Sequence, residues 1–118
     1  MSAFARSPCP IASTLDLVGD RWTLVMVRDM INGKKRFGEF LESPEGIPTN
    51  ILAERLKRME DARLIKRRLY LARPKRYEYL LTERGTGLWP VLQAISRFGN
   101  KHIRGTWVPP ERFMRPVE

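Results

Sequence analysis

The amino-acid sequence predicts a mainly α-helical fold with one small β-hairpin. Over most of the chain, apolar residues recur three or four positions apart, which is the period of amphipathic helices. Residues 64–71 and 76–81 differ, because aromatic and aliphatic residues stand there in a strand-like pattern around a short link that contains Pro74. A length of 118 residues and a hydrophobic content of 42% fit one domain with its own core.

The N-terminal third is predicted to form three short helices. Pro10 fits the first turn of the first helix, and Gly19 ends it. Asp20 is expected to cap the second helix, which has Gly33 at its C-terminal end. After the basic turn at 34–36 comes a brief apolar segment, which is short for an isolated helix and therefore depends on packing against the others.

The clearest helical pattern in the chain covers residues 48–61. Leu52, Leu56 and Met59 recur four and three positions apart and define a buried stripe. Pro48 fits the entry to this helix, and Thr49 is a second candidate for its cap. The side chains expected to point largely away from that stripe are Thr49, Asn50, Ala53, Glu54 and Lys57.

The C-terminal part is predicted to be one helix and a tail. Thr82 is expected to cap the last helix, and Pro90 either kinks this helix or marks its true start. The apolar residues expected to face inward are Leu88, Val91, Leu92, Ile95 and Phe98. Residues 102–118 carry apolar side chains without periodicity and are interpreted as a tail.

Positive charge is concentrated in one stretch of the chain. The sequence holds 22 lysine and arginine residues against 13 aspartate and glutamate residues, for a formal net charge of +9. Residues 55–76 contain ten of the basic residues and only two acids, Glu60 and Asp61. A solvated face is the ordinary explanation of a single charge run, but this one spans several predicted elements. The stretch therefore favours a polyanionic partner, and nucleic acid in particular.

Helices followed by a basic hairpin are the layout of a winged helix-turn-helix domain. The helix at 48–61 has about 14 residues and a length of roughly 21 Å, enough to cross a major groove about 12 Å wide. The hairpin, or wing, is expected to follow the phosphates, while side chains at the helix tip read bases. The candidate DNA contacts are Thr49, Asn50, Ala53, Arg55, Lys57 and Arg58 on the helix and Arg73, Lys75 and Arg76 on the wing.

Several segments in this order resemble a known protein family. They are "CPI" at Cys9, "GDRWTLVMVRDM", "KKRFGEFL", "GIPTNILAERLKRMEDARLIKR" and "YEYLLTERG". Together they are similar to the HxlR-type transcriptional regulators, relatives of the MarR-like winged-helix proteins, from Cys9 to about Lys101. The resemblance implies a bacterial or archaeal homodimer that binds double-stranded DNA and often responds to a small molecule or an oxidant.

The chain departs from the pattern of this family at two turns. Pro48 stands where many members carry serine, so the cap of the following helix is expected to shift to Thr49. Ala62 and Arg63 stand where many members have glycine before the first strand, which affects the local turn but not the fold.

Each helix residue singled out above has an ordinary structural alternative. Thr49 and Asn50 are placed to meet bases or phosphates, although both residue types also cap helices. Arg55 matches an arginine common in the family and is expected either to reach the DNA backbone or to pair with Glu60 or Asp61 and brace the helix. Lys57 and Arg58 fit backbone contacts or solvated surface better than base contacts.

Cys9 matches a cysteine that senses oxidants or electrophiles in some members of the family. Its position at the predicted N-terminus of a helix, directly before Pro10, suits the thiolate chemistry that such a sensor requires. The alternative is a small apolar residue packed at a dimer interface. Because the chain has one cysteine, a redox response requires an adduct or a disulfide between two chains.

The sequence predicts a homodimer built from its first and last helices. One small winged domain reads too few bases for high specificity, whereas two copies occupy half-sites roughly 34 Å apart. Residues 1–118 are thus one winged helix domain with dimerisation helices at both ends and the tail at 102–118. Trp22, Trp89 and Phe98 are assigned to the core or this interface, although a dimer cavity is an alternative place for an aromatic effector.

Other classes of protein lack support in the sequence. There is no glycine-rich phosphate loop, no metal-ligand cluster and no nucleophile beside a base, so neither catalysis nor a cofactor is expected. The apolar runs are too short for a membrane span, and a single cysteine without a signal peptide suits the cytoplasm. The remaining alternative is a non-specific DNA- or RNA-binding protein that uses the same basic face.

Overall fold

Helices form most of the protein, and two strands form its only sheet in residues 6–117, which are the residues that the computed structural model describes. This confirms the predicted fold class. The elements in chain order are α1 (Pro10–Val18), α2 (Thr23–Ile31), α3 (Phe37–Leu41), α4 (Thr49–Asp61), β1 (Ile65–Leu71), β2 (Arg76–Leu81), α5 (Glu83–Thr86), α6 (Trp89–His102) and α7 (Glu111–Met114).

The core lies between α2, the stripe of α4 and the base of the hairpin. Leu52, Leu56 and Met59 are at most 3% exposed, which confirms the predicted stripe. Val27 of α2 and Phe40 of α3 are buried against them in the same cluster. Burial of large aliphatic and aromatic side chains, at about 25 cal/mol per Å² of apolar area, is the main force that holds these elements together.

The starts of α2 and α4 differ from the predicted caps. The Asp20 carboxylate accepts hydrogen bonds from the backbone N–H groups of Trp22 (3.0 Å) and Thr23 (3.1 Å), as a capping side chain does, but the N-cap position of α2 is Trp22 and not Asp20 as predicted. At α4 the residue in the cap position is Pro48, and no side-chain cap bond forms. The expected shift of the cap to Thr49 is therefore wrong, because Thr49 is already the first helical residue.

The hairpin gains a third, very short partner from the turn before α3. Strands β1 and β2 are antiparallel, with an irregularity between Leu69 and Leu71. The backbone N–H of Tyr79 donates to the carbonyl of Lys35 (2.7 Å), and Arg36 forms an isolated bridge with Glu78. These contacts join the base of the hairpin to the N-terminus of α3.

The predicted last helix is two helices. The hydroxyl of Thr82 accepts a hydrogen bond from Gly85 N–H (3.1 Å) and caps α5, which ends at Thr86. A new helix, α6, begins at Trp89 with Pro90 in its first turn, so the alternative that Pro90 marks the true start is confirmed. A proline fits there because the first N–H groups of a helix have no intrahelical acceptor.

Only part of the apolar face of α6 points inward. Leu88 and Leu92 are buried, as expected. Val91, Ile95 and Phe98 are 38%, 48% and 62% exposed, so their assignment to the core of a single chain is wrong. On α6 they form an apolar strip that no other part of residues 6–117 covers.

The segment interpreted as a tail folds back onto the domain. Its short helix α7 inserts Phe113, 4% exposed, into the core. The carbonyl of Phe113 accepts hydrogen bonds from Trp89 Nε1 (2.8 Å) and Gln93 Nε2 (2.9 Å), two side chains of α6. No helix among the described residues is long and apolar enough to cross a membrane.

Candidate nucleic-acid interface

Helix α4 presents a polar face to solvent opposite its buried stripe. Thr49, Asn50, Ala53 and Lys57 are all exposed. Their spacing of one, three and four places them on one side of the helix, because an α-helix turns every 3.6 residues. No side-chain hydrogen bond joins Thr49 or Asn50 to another residue of the described range, so both polar groups are available to a partner.

Arg55 joins α4 to the start of α2. Its Nε donates to Asp20 Oδ2 (2.9 Å), and its guanidinium also contacts Glu54. The intrahelical partners predicted for it, Glu60 and Asp61, are wrong: Glu60 lies instead beside Arg67 (3.4 Å).

The surroundings of Asp20 keep its carboxyl group ionised, so that it bonds both the start of α2 and Arg55. Burial by itself would raise the pKa of its carboxyl group. Hydrogen bonds from the Thr23 hydroxyl, the Trp22 N–H and the Arg55 guanidinium outweigh that effect and hold the pKa well below its usual range. The carboxylate is therefore charged throughout the neutral range, and it fixes α4 against α2.

A second ionic contact supports the turn that precedes α4. Arg28 of α2 donates to both carboxylate oxygens of Glu45 (2.8 Å each), which lies in that turn, and also contacts its neighbour Asp29. The Asp29 carboxylate accepts the hydroxyl of Ser43, which in turn accepts Lys34 Nζ (2.8 Å). Bidentate arginine–carboxylate pairs are directional, so this network sets the angle at which the chain enters α4.

The tip of the hairpin is a cluster of uncompensated positive charge. Arg73, Lys75 and Arg76 are exposed, and none of them has a carboxylate partner within residues 6–117. The predicted wing cations therefore lie together, at the end of the hairpin most remote from the core. Arg58 on α4 is also exposed and lies 4.0 Å from Glu54, the limit of an ion pair.

Glu78 organises the base of the hairpin and was not singled out from the sequence. This buried carboxylate lies 2.9 Å from Arg68, 3.4 Å from Arg36 and 3.5 Å from Lys35. The Arg68 hydrogen bond, followed by the positive charges of its neighbours, lowers the pKa of Glu78. The Arg36 guanidinium also stacks over the ring of Tyr70 at 3.9 Å.

One signal for this cluster was present in the sequence. Glu78 is the only acid between Asp61 and Glu83, in the middle of a basic hairpin. A single acid among many bases indicates an ionic partner, but the sequence does not say that two of the cations come from the turn before α3.

The other predicted site residues are distributed between core and surface. Cys9 is exposed and occupies the N-cap position of α1, directly before Pro10. Trp22 and Trp89 are partly buried against the core, whereas Phe98 is exposed and stacks near His102 (ring centroids 4.8 Å apart).

Comparison with known families decides the class of the protein. Residues 17–106, which include α2, α4 and the whole hairpin, match the HxlR-like helix-turn-helix family. The chain belongs to this family. It is therefore a helix-turn-helix transcriptional regulator, a class of DNA-binding proteins.

Individual relatives and solved structures agree with membership of the HxlR-like family. The chain is 36% identical over 92 residues to sll1512 of Synechocystis sp., an uncharacterised HTH-type transcriptional regulator, covering 78% of this chain and 68% of that protein. The redox regulator HypR in its reduced form is 33% identical, with a TM-score of 0.74 and coverage of 80% and 94%. Reduced YodB of Bacillus subtilis, a transcriptional regulator, is 31% identical, with a TM-score of 0.69 and coverage of 86% and 100%.

Proposed function

We propose that this HxlR-like chain acts as a homodimer that binds a pseudo-palindromic DNA operator in a sequence-specific way. The observation that carries the proposal is that one domain presents two exposed surfaces suited to DNA. One is the solvent face of α4, fixed to α2 by Arg55 and Asp20. The other is the wing tip, whose cations have no intrachain carboxylate partner within the described range.

In this proposal the residues of α4 divide by their place on the helix. Thr49, Asn50 and Ala53 lie at the N-terminal end and meet base edges: an asparagine amide pairs with adenine, and small methyl groups contact the thymine methyl. Lys57 and Arg58 lie farther along and meet phosphates. Arg55 contributes by orienting the helix, since its guanidinium already pairs with Asp20.

The wing supplies affinity rather than sequence discrimination. Arg73, Lys75 and Arg76 are placed at the phosphates or in a narrow minor groove, where negative potential attracts arginine. Each phosphate that is neutralised releases bound counterions and makes binding depend on salt.

The dimer seam in this proposal is formed by α1 and α6. Ile11 and Leu15 of α1 are 71% and 53% exposed, and Ile95 and Phe98 of α6 are 48% and 62% exposed. Large apolar side chains that the chain itself leaves uncovered are typical of an interface between copies. Phe98→Glu is expected to yield monomers in sedimentation velocity at micromolar concentration, while Arg97→Glu, on the same helix but turned away from the apolar strip, leaves the dimer intact. A monomeric unmodified protein would contradict the seam.

Fluorescence anisotropy tests operator binding directly. The purified protein is titrated onto the intergenic duplex beside its own gene, a scrambled duplex and an RNA of matching sequence, at two salt concentrations. Binding to the native duplex at least ~10³ tighter than to the scrambled one supports the proposal. Equal, steeply salt-dependent binding to all three would instead identify a non-specific nucleic-acid-binding protein.

The dependence of DNA affinity on salt concentration also tests the contribution of the wing by itself. A dimer of the double variant Arg73→Glu, Lys75→Glu loses four wing cations, so the slope of log K against log salt is expected to flatten by roughly 3–4. Native and scrambled duplexes are expected to weaken by the same factor. Arg97→Glu, Arg104→Glu makes the same charge change away from the proposed DNA contacts and from the apolar strip of α6, and it serves as the control. An unchanged slope in the wing variant would refute this role.

The proposal includes a redox response at Cys9. The thiol is exposed at the N-terminus of α1, beside the proposed seam, where the Cys9 residues of two copies are available to each other. Diamide is expected to oxidise two thiols to a disulfide between chains, with diamide reduced to the hydrazine, and to release the DNA. If Cys9→Ser is released as readily as the unmodified protein, the sensor role is excluded and packing at the interface remains.

A further inference from the structure

The recess with the most apolar lining in the described chain lies between α2 and α6. It has a volume of about 250 Å³. Helix α2 and its C-terminus form one wall, α6 forms the second, and the segment 107–113 forms the third. The aliphatic and aromatic side chains that line it are Leu24, Val25, Leu92, Ile95, Trp107 and Phe113.

The third wall is held in place at both of its ends. Asn100 Nδ2 donates to the carbonyl of Trp107 (3.0 Å), and Gln93 Nε2 donates to the carbonyl of Phe113 (2.9 Å). Between these anchors stand Pro109 and Pro110, whose rings restrict the backbone. The recess is thus a preformed groove beside an anchored segment, open to solvent along Ile95 and Trp107, rather than a flat apolar face.

The polar groups of the cavity determine the charge of a ligand. Arg28 lines it, but the carboxylates of Asp29 and Glu45 already neutralise its guanidinium. Asn32 and Ser96 also line it, and neither side chain is hydrogen-bonded to another residue of the described range. The cavity therefore offers a neutral amide and a hydroxyl, and no unpaired charge.

We infer that this cavity binds a neutral aromatic molecule of one or two fused rings with one hydrogen-bonding group. The size fits, because a dry cavity of about 150 Å³ is enough to hold benzene. An anion would find no unpaired cation among the lining residues to offset the loss of its hydration, because Arg28 is already paired. The apolar walls supply the affinity, and Asn32 and Ser96 orient the hydroxyl of the ligand.

Occupancy of the cavity is linked to DNA binding through Arg28. One side of this residue lines the cavity, and its guanidinium holds Glu45 in the turn that precedes α4. A ligand that shifts the Arg28 side chain changes the support of that turn and, with it, the position of α4. This regulatory link rests on the proposed function, whereas the cavity itself does not.

Calorimetry without DNA tests the site with defined probes. 1-Naphthol is expected to bind the unmodified protein with a Kd of about 10–100 μM, as its size allows. Its carboxylate counterpart, 1-naphthoate, is expected to show no saturable heat in the same range. Ser96→Phe fills the cavity and is expected to abolish binding. Ser96→Ala keeps the space and loses at most about tenfold, the value of one hydrogen bond.

Several results would overturn the inference. Equal binding of naphthol and naphthoate would refute the neutral-ligand argument, and undiminished binding to Ser96→Phe would place the ligand elsewhere. Absence of binding to the unmodified protein would refute the site without any variant. Binding of naphthol only to the monomeric Phe98→Glu protein would show that a second copy fills the cavity.

The link to DNA is measured separately from the site. Saturating naphthol is expected to shift the affinity for the native duplex at least about fivefold, a typical allosteric coupling, and to leave Ser96→Phe unaffected. An unchanged affinity would keep the site and refute its regulatory link. Naphthol binding to a protein that shows no preference for any duplex would refute the proposed function and leave the cavity as a binding site.

Discussion

Arg63 adopts a backbone conformation that is unfavourable for any residue with a Cβ atom. The cost of this conformation to the stability of the fold can be measured by substitution. Its φ of 62° is the one positive φ of a non-glycine residue among residues 6–117. Arg63 N–H donates to Glu60 O and Leu64 N–H to Met59 O (2.9 Å each). This pair of bonds is the Schellman motif, which ends a helix with a left-handed residue, usually glycine.

The expected gain from Arg63→Gly follows from two opposing terms. The left-handed conformation costs an L-residue roughly 1–2 kcal/mol, and glycine removes that cost. Glycine in turn loses about 0.5–1 kcal/mol more chain entropy on folding. The side chain of Arg63 is exposed and has no ion pair within the described range, so its removal costs little. The variant is therefore expected to gain about 0.5–1 kcal/mol, or a Tm increase of roughly 2–6 °C.

Urea and thermal denaturation followed by circular dichroism measure this difference. Arg63→Ala is the matched control, because it removes the same charge but keeps a Cβ in the left-handed conformation. Its stability is expected to stay at or below that of the unmodified protein. An equal gain in both variants would mean that relief of charge repulsion, not backbone conformation, is responsible.

Three further perturbations test other contacts. Asp20→Asn is expected to cost about 2 kcal/mol at pH 7, because the charged carboxylate holds Arg55 and bonds the start of α2. Since folding lowers this pKa, the stabilisation is full above the unfolded value of about 4 and declines progressively as pH falls from there through the lower folded value. Urea titrations at pH 7 and pH 3 are therefore expected to show the full difference at pH 7 and a reduced one at pH 3. Phe113→Ala is expected to cost about 3–5 kcal/mol in the same assay, as a buried aromatic side chain leaves a cavity, and a loss below 1 kcal/mol would show that α7 is dispensable. Glu78→Gln is expected to speed hydrogen exchange at Tyr79 N–H, which bonds to Lys35 O, while amides of α2 stay unchanged.

Local patterns in the sequence predict the elements well. The helix expected at 48–61 is observed at Thr49–Asp61, because its buried stripe and entering proline are features of the segment itself. The hairpin is likewise encoded in two adjacent segments and their link. Because the hairpin is predicted, the position of Arg73, Lys75 and Arg76 together at its tip is predicted with it.

Contacts between distant residues are what the sequence does not reveal. The partner of Arg55 is Asp20, 35 positions away, and both of the carboxylates predicted for it are nearer in sequence. Phe113 belongs to the core, although its segment shows no periodicity, because one inserted side chain leaves no repeating pattern. The apolar strip of α6 reads as core in the sequence, since periodicity reports which face is apolar and not what covers it.

The two ionic supports of α4 have a consequence for how the proposed dimer would choose an operator. Asp20 holds the middle of the helix and Arg28 holds its entering turn, so α4 is braced against the rest of the domain. In the proposed dimer, any mismatch between the spacing of the two α4 helices and the spacing of the half-sites then falls on the DNA. Bending a short duplex costs about 1–6 kcal/mol and depends on its sequence. Base pairs between the two half-sites are therefore expected to contribute to selectivity through their stiffness.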